Sequence, residues 1–267
     1  MKLGSQLAAA GFVASLSVSC FADDDYKLVW ADEFDGKALD RSVWHVVKGN
    51  GCPKLCGFGN NELQHYRGRE KNLRLENGRL VIEAHMGNKV TSAKITTEEM
   101  PGWSYGRIAM RAKLPSGVGT WPAFWMMPKT DSYGPWPKSG EIDIMEHVGY
   151  NQGQVHGTIH TEAFNHRIGT QKGGHMQVPN ASEAFHEYSV EWEESEIRWY
   201  IDGEQYFQVT KKAGFGHAEW PLDHPFYVIL NLAVGGDWGG AQGVDKTAFP
   251  ARFEIDWVRI WQKTAEK

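Results

Sequence analysis

The sequence predicts an all-β protein in which two antiparallel sheets stack as a sandwich. Several short segments alternate apolar and polar side chains with a period of two, as half-buried strands do. The 30 Gly and 11 Pro residues among 267 supply frequent turns, and no segment shows a long, capped helical pattern. Many short strands joined by turns fit a jelly-roll arrangement best.

The alternating pattern places the strands in order along the chain. The segment after Asn77-Gly78 is the first, and a later one runs into Asp202-Gly203, a dipeptide typical of hairpin turns. The segment at 226–232 is almost wholly apolar, which predicts a strand covered on both faces. The predicted strands span residues 79–84, 105–114, 196–201, 205–207, 226–232 and 252–261.

Composition and charge exclude several classes of protein. Charged residues make up 23% and hydrophobic residues 41% of the chain, unlike a disordered or coiled-coil protein. A net charge of −5 argues against a nucleic-acid binder, because neutralising phosphates needs a basic surface. Twelve Trp residues indicate a core together with exposed stacking surface. We expect a monomer without a membrane span.

The amino terminus resembles a secretory signal peptide. Lys2 precedes a short run of apolar and small residues that contains no acid before Asp23. Cleavage after Ala22 would leave residues 23–267 as a single domain. We therefore expect a secreted or periplasmic protein. A lipid anchor at Cys20 and a first core helix are the alternatives.

Two cysteines lie close together beyond that segment. Cys52 and Cys56 are separated by three residues. An oxidising compartment would permit a small local disulfide between them. Two free thiols and half of a metal site are the alternatives that the sequence leaves open.

One segment, residues 140–149, concentrates the carboxylates. In a regular strand Glu141 and Asp143 share one face, and Glu146 would then point into the core. Burying an unpaired carboxylate costs several kcal/mol. A one-residue β-bulge near Met145 would return Glu146 to the acidic face. We therefore predict a bulge there and three carboxylates on one face.

Such a row of acids destabilises a fold, so it indicates chemistry. Glycoside hydrolysis uses two carboxyl groups without a metal or a histidine partner. Asp143, between the two glutamates, is placed to hydrogen-bond a nucleophile and to hold a proton by like-charge coupling. A solvated acidic strand or a Ca²⁺ site is the alternative interpretation.

The segment Glu-Ile-Asp-Ile-Met-Glu resembles the active-site strand of glycoside hydrolase family 16, in its laminarinase branch. Six further motifs extend the likeness in the same order over essentially the whole chain after the predicted leader. These motifs are Trp30-Ala-Asp-Glu-Phe34, Gly59-Asn-Asn-Glu-Leu-Gln64, Tyr105-Gly-Arg107, Gly119-Thr-Trp-Pro-Ala-Phe-Trp-Met126, Val155-His-Gly-Thr-Ile-His160 and Asn231-Leu-Ala-Val-Gly-Gly236.

The resemblance implies a jelly-roll with a concave cleft and a retaining double displacement. By position, Glu141 would be the nucleophile, Glu146 the acid/base and Asp143 an assistant to the nucleophile, with no cofactor for catalysis. The extra Met145 separates the chain from the mixed-linkage lichenases. That residue groups it with laminarinases, agarases and κ-carrageenases.

The resemblance also implies substrate-binding residues. Aromatic rings stack on the flat faces of sugars, and Trp121 and Trp125 lie four apart on one strand. Trp103 is a further loop candidate, whereas His156 is interpreted as structural. Lys94 stands where family members often carry Arg. The predicted binding residues are Asn60, Trp121, Trp125, Trp136, His160 and Trp238, and the tryptophans assigned to packing are Trp30, Trp44, Trp192, Trp199, Trp257 and Trp261.

Many family members bind a structural Ca²⁺ away from the cleft. The matching positions are Glu33 and Gly78 through backbone carbonyls and Asp256 through its carboxylate. Oxygen ligands of this kind suit a hard cation. A plain surface acid is the alternative for Asp256.

The expected function is endo-hydrolysis of β-1,3-glucan of the laminarin type, with a polysaccharide as the partner. Hydrolysis of agarose, κ-carrageenan or mixed-linkage β-glucan is the enzymatic alternative. The third alternative is a non-catalytic glucan-binding protein. The presence of both Glu141 and Glu146 argues against it, because such relatives lose the catalytic glutamates. A cleft that binds a sulfated galactan should be strongly basic. Around the acids the sequence shows only three basic residues, Lys138, Arg167 and Lys172, which favours a neutral glucan.

Overall fold

The computed structural model describes residues 25–264, and the predicted signal peptide at 1–22 lies outside them. The strands are β1 (Tyr26–Asp32), β2 (His45–Val46), β3 (His65–Tyr66), β4 (Leu73–Leu75), β5 (Leu80–Ala84), β6 (Thr91–Ser92), β7 (Lys94–Thr96), β8 (Gly106–Lys113), β9 (Thr120–Pro128), β10 (Glu141–His147), β11 (Gln154–His160), β12 (Lys172–Gln177), β13 (His186–Trp192), β14 (Glu196–Ile201), β15 (Glu204–Thr210), β16 (Phe226–Val234) and β17 (Ala251–Lys263). Short 3₁₀ helices span Cys56–Gly59, His166–Ile168 and Lys246–Ala248. The six predicted strands are confirmed as β5, β8, β14, β15, β16 and β17.

Two large antiparallel sheets form the body of the protein. The outer sheet has the order β15-β14-β13-β8-β17-β5-β4, and β1 also pairs with β17. The inner sheet has the order β12-β11-β10-β9-β16-β7-β2. A short parallel pair, β3 and β6, lies beside them. The predicted all-β jelly-roll sandwich is therefore confirmed.

The core lies between the two sheets, because each strand turns its apolar positions toward the other sheet. Ile142 on β10 and Ile108 on β8 are wholly buried. Large aromatic side chains fill the same layer, as predicted for Trp44, Trp192 and Trp199. The middle strand β16 is buried along almost its whole length, as its apolar sequence predicts. β9 and β7 pair with its two edges, and residues that point to either side of the strand are buried, so both of its faces are covered.

The prediction of Trp103 as a cleft residue is wrong. Its side chain is 8% exposed and belongs to the core. The backbone of Trp103 pairs with that of Phe226 in an isolated bridge, and its ring lies 5.4 Å from that of Trp30. The bridge draws this loop residue inward, where an indole gains more from burial than it would at the surface.

The loop between β2 and β3 contains a disulfide. Cys52 and Cys56 are bonded to each other, which decides among the alternatives that the sequence left open. Within residues 25–264, no helix is long and apolar enough to cross a membrane.

Candidate active site

The predicted bulge is present in β10. On the β9 side, Asp143 pairs with Trp125 and Met145 with Phe124, so two steps on β10 match one step on β9. The pairing with β11 shifts between Asp143 and Glu146 as well. Ile144 and Met145 both point into the core. The extra residue therefore restores Glu146 to the face that carries Glu141.

The three carboxylates sit at different depths on that face. Glu141 and Glu146 are partly exposed and line the same cleft. Asp143 is 2% exposed and lies between them along the strand. The arrangement provides two accessible carboxyl groups and one buried carboxyl group that connects them.

Indole N–H groups hold the acids in place. Trp136 Nε1 donates to Glu141 Oε2 at 2.5 Å, and Trp121 Nε1 donates to Glu146 Oε1 at 3.0 Å. Below the strand, Trp199 Nε1 donates to the backbone oxygen of Asp143 at 2.8 Å. Each bond restrains a group at or beside the bulge, so the carboxylates are preorganised.

Burial raises the pKa of all three acids. It raises the pKa of Glu141 to about 8, with a further contribution from the charge of Asp143. It raises the pKa of Glu146 to about 7, although the Trp121 hydrogen bond acts in the opposite direction. Burial and the charge of Glu146 hold the pKa of Asp143 well above its ordinary value. The cleft therefore retains protons near neutral pH.

A cleft of about 690 Å³ opens over β9, β10, β11 and β12. Asn60, Trp121, His160 and Trp238 line it, as predicted. The rings of Trp121 and Trp238 meet edge to face at 5.5 Å and form one aromatic corner. Such a groove, with flat rings beside polar groups, suits a chain of sugar rings.

The two remaining predicted binding residues flank this cleft. Trp136 reaches Glu141 through its N–H group, and the guanidinium of Arg167 lies 4.5 Å from the centre of its ring. Trp125 lies opposite Asp143 on β9 and donates its N–H to Asn231 Oδ1 at 2.7 Å. The ammonium of Lys94 lies 4.6 Å from the ring of Trp125. Trp125 is therefore fixed on the face that carries the acids.

Two histidines of β11 face the same cleft. His160 Nε2 lies 3.4 Å from Asp143 Oδ2, which puts an imidazole against the buried acid. His156, interpreted from the sequence as structural, lines the cleft, and its ring lies 5.1 Å from that of Trp238. That interpretation is corrected because the cross-strand pair His156–His175 opens toward the cleft.

Sequence reasoning missed several residues that line the cleft. Asp237 adjoins Trp238, and a signal existed there, since polar residues beside a loop tryptophan often share its site. Gly59 and Thr158 lie inside two of the quoted motifs but were not singled out, and Arg167 was considered only for its charge. The others come from β12 and the loop before it, segments without a recognisable motif. These missed residues are Gly59, Thr158, His166, Arg167, Gln171, Gly173, Gly174, His175 and Asp237.

The positions predicted for Ca²⁺ meet on the outer sheet. The pairing of β1 with β17 ends at Asp32 opposite Val258, and the pairing of β5 with β17 starts at Leu80 opposite Ile255. Glu33 and Gly78 therefore lie toward the stretch of β17 that carries Asp256. Asp256 Oδ2 accepts a hydrogen bond from Arg111 at 2.5 Å, whereas Oδ1 has Arg79 at 3.7 Å. The register is compatible with the predicted ligand set, but both carboxylate oxygens of Asp256 face guanidinium groups.

Comparisons with known proteins agree with this geometry. A beta-glucanase of Rhodothermus marinus is 45% identical over 98% of this chain and 97% of that protein. A glucan endo-1,3-beta-glucosidase of Cryptopygus antarcticus is 36% identical over 94% of this chain and 97% of that protein. The X-ray structure of the laminarinase from Rhodothermus marinus superposes with a TM-score of 0.86 at 46% identity, covering 90% of this chain and 98% of that one.

The family model described as glycosyl hydrolases family 16 matches residues 58–259, a span that includes both sheets' central strands and all three acids. The match, the identity to full-length relatives and the acidic bulged strand agree with one another. The chain therefore belongs to glycosyl hydrolase family 16 and is a glycoside hydrolase.

Proposed function

We propose that the protein is a retaining endo-hydrolase of β-1,3-glucan of the laminarin type. Glu141 is the nucleophile and Glu146 the acid/base. The observation that carries the proposal is the pair of glutamates on either side of the bulge, in one cleft, each bonded to a tryptophan N–H. The names of the full-length relatives, beta-glucanase and endo-1,3-beta-glucosidase, support the glucan substrate.

In the first step, a carboxylate oxygen of Glu141 attacks the anomeric carbon and the glycosidic C–O bond breaks. The Glu146 carboxyl gives its proton to the departing oxygen, so the leaving chain departs as a neutral alcohol. The Trp136 N–H bond favours the ionised form of Glu141. Burial raises the pKa of Asp143, and its carboxyl group hydrogen-bonds that of Glu141, which helps to hold the nucleophile in place.

In the second step, the Glu146 carboxylate takes a proton from water, and the water oxygen attacks the anomeric carbon. The bond to Glu141 breaks, and the sugar is released with its original configuration. Glu146 regains a proton and Glu141 a negative charge, so the cycle closes.

The charges around the cleft favour a neutral polysaccharide. Lys138 is paired with Glu162 at 2.9 Å. Lys172 lies over the ring of Phe164, and Arg167 over that of Trp136. Few cations are left to bind the sulfates of a carrageenan, whereas the Trp121–Trp238 corner suits uncharged sugar faces.

A substrate panel tests this proposal. Reducing ends released from laminarin, lichenan, agarose and κ-carrageenan are measured at equal mass concentration. We expect the highest initial rate on laminarin, with oligosaccharides of several lengths as early products. Activity on agarose alone, or release of glucose alone from chain ends, would contradict the proposal.

We also propose that the enzyme acts outside the cytoplasm, as a secreted or periplasmic protein and as a monomer. The leader-like residues 1–22 and the Cys52–Cys56 disulfide support an oxidising compartment. Cell fractionation after expression of the full chain tests the location, and light scattering of the purified protein tests the monomer. Retention in the cytoplasm would contradict the first expectation.

A structural Ca²⁺ at Glu33, Gly78 and Asp256 is the final part of the proposal. The register of β1 and β5 on β17 brings Glu33 and Gly78 toward the stretch that carries Asp256, and the ion would displace a guanidinium group from the Asp256 carboxylate. The ion would join β1, β5 and β17 and take no part in hydrolysis. We expect EDTA to lower the Tm and added Ca²⁺ to restore it. An unchanged Tm, with the same result for D256N, would contradict the site.

A further inference from the structure

We propose that the Cys52–Cys56 disulfide positions one wall of the cleft and thereby sets the affinity for substrate, while leaving the chemical step unchanged. The inference rests on the proposed function, because it concerns how the same cleft holds its polysaccharide. It assigns the two cysteines a positioning role. Their side chains are exposed at the surface and do not line the cleft.

The disulfide lies directly before the turn that carries Asn60. Cys56 adjoins Gly57, whose N–H donates to Asn50 O at 2.8 Å. The oxygen of Gly57 then accepts the N–H groups of Asn60 at 3.0 Å and Glu62 at 3.1 Å. The backbone around the disulfide is therefore bonded to the cleft residue through a single residue, Gly57.

The turn is held in a conformation that it would not keep by itself. Phe58 has a φ of 52° and Asn61 a φ of 55°, which are left-handed values for residues with side chains. Such positions persist only where surrounding contacts determine them. The disulfide on one side and the packing of Phe58 against Tyr66, at 5.0 Å, on the other supply those contacts.

The same turn supports the loop that carries Trp238. Asn60 O accepts the N–H of Asp237 at 2.7 Å, and Asn61 Nδ2 donates to Asp237 Oδ1 at 2.8 Å. Gly236, at a φ of +79°, lets the two loops approach, since a Cβ there would lie 2.9 Å from Asn60 O. A displaced turn would therefore move Asn60, Asp237 and Trp238 together.

These residues bind substrate without touching its reacting atoms, so their displacement affects binding. Asn60 hydrogen-bonds Glu62, and Trp238 contacts Trp121 and His156. The carboxylate of Glu141 is held by Trp136, which no described contact joins to this turn. That of Glu146 is held by Trp121, which meets Trp238 at a ring edge but is anchored on β9. A disulfide that closes so short a loop adds little to global stability, which agrees with a local role.

The matched variant is C52S/C56S, which removes the bond and keeps side chains of similar size. We expect the KM for laminarin to rise about fivefold, the worth of one or two hydrogen bonds, with kcat within about twofold of the unmodified enzyme. Reduction of the unmodified enzyme by a phosphine should raise its KM by the same factor as the double substitution does. The same treatment of C52S/C56S serves as the control and should change nothing.

A second variant separates positioning from a structural role. N60A should raise KM by itself, and adding C52S/C56S to N60A should raise it by less than the product of the separate effects, because both act on one wall. Tm is measured for every variant, and rates are taken well below it. A lower Tm with an unchanged KM would show that the disulfide is only structural and would overturn the inference.

The outcomes also separate this inference from the proposed function. If the unmodified enzyme does not cleave laminarin, the proposed substrate is wrong, and KM is measured on the polysaccharide in the panel that it does cleave. If it cleaves laminarin with the same KM before and after reduction, the positioning role is wrong. If C52S/C56S does not fold, the reduction experiment decides.

Discussion

Trp136 Nε1 lies 2.5 Å from Glu141 Oε2, so a residue of the loop before β10 donates directly to the proposed nucleophile. Trp121, on the neighbouring strand β9, donates in the same way to Glu146 at 3.0 Å. A hydrogen bond to a carboxylate favours its ionised form and lowers its pKa. The two indoles therefore adjust the two glutamates independently, from separate elements of the fold.

The hydrolysis rate should have a bell-shaped dependence on pH, with both limbs well above ordinary carboxylic pKa values. Burial raises the pKa of Glu146 to about 7 and that of Glu141 to about 8. The productive form has its one proton on Glu146, whereas these values place most of that proton on Glu141. The productive form is therefore the minor one-proton form, and it too is most populated between the two values. Measuring kcat/KM for laminarin between pH 4 and 10 checks this. An optimum near pH 4 to 5 would contradict it.

W136F should move the rising limb of that profile to higher pH, since the ionised form of Glu141 loses a hydrogen bond. We expect a loss of about tenfold in kcat/KM at pH 6, and a smaller loss at pH 8. W121F is the matched variant, and it should move only the falling limb upward, because it acts on Glu146. The two profiles are compared with that of the unmodified enzyme. Identical shifts in both variants would show that the indoles act by packing alone.

E141S should abolish hydrolysis and leave the fold intact. Loss of a nucleophile lowers kcat by on the order of 10³-fold or more, and circular dichroism should be unchanged. E146Q should still form the glycosyl-enzyme from aryl glycosides with good leaving groups, because departure of such groups needs no proton. The release of aglycone should appear as a burst, because the second step has lost its base. The activity of E146Q on laminarin should be lost. Turnover of laminarin by E141S would reject Glu141 as the nucleophile.

E141Q should stabilise the protein at alkaline pH. The folded-state pKa of Glu141 is raised to about 8, so the unfolded chain holds fewer protons between its own pKa and that value. Stability is therefore full at acidic pH and is lost as the pH rises toward 8. We expect the Tm of E141Q to exceed that of the unmodified enzyme by about 3 °C or more at pH 8, and by little at pH 4.5. Equal Tm values at both pH values would contradict this.

W199F should reduce activity as well as stability. Trp199 Nε1 donates to Asp143 O at the bulge, and losing that bond leaves a buried carbonyl unpaired, at a cost of about 1–3 kcal/mol. W192F is the control, since Trp192 Nε1 donates to Leu222 O at 3.2 Å, away from the acids. Both variants should have a lower Tm, but kcat should fall only in W199F. Equal kcat values would show that Trp199 merely packs.

The face occupied by the acids followed from local patterning alone. Alternation along β10 puts Glu141 and Asp143 together, and the cost of burying Glu146 requires an extra residue, which the register shows between Asp143 and Met145. Trp121 and Trp125 share a face for the same reason, because side chains four apart on a strand point the same way. These properties depend on the strand period and on desolvation, both of which the sequence contains.

Residues whose surroundings come from a distant segment of the chain were predicted less well. Trp103 was assigned to the cleft and lies in the core, where the bridge to Phe226 holds it. His156 was assigned a structural role and lines the cleft beside Trp238. In both cases the position of the side chain depends on a segment that is distant in the sequence. For Trp103 that segment contains Phe226, and for His156 it contains Trp238.

The order of amino acids by itself determined the strands, the phase of β10 and therefore which carboxylates share a face. Only the tertiary structure decided what surrounds them, because the order β12-β11-β10-β9 brings together side chains from separate parts of the chain. Burial raises the pKa values of Glu141 and Glu146 through those neighbours. Alternation is a local property of the backbone, whereas the dielectric environment of a charge depends on every segment packed around it.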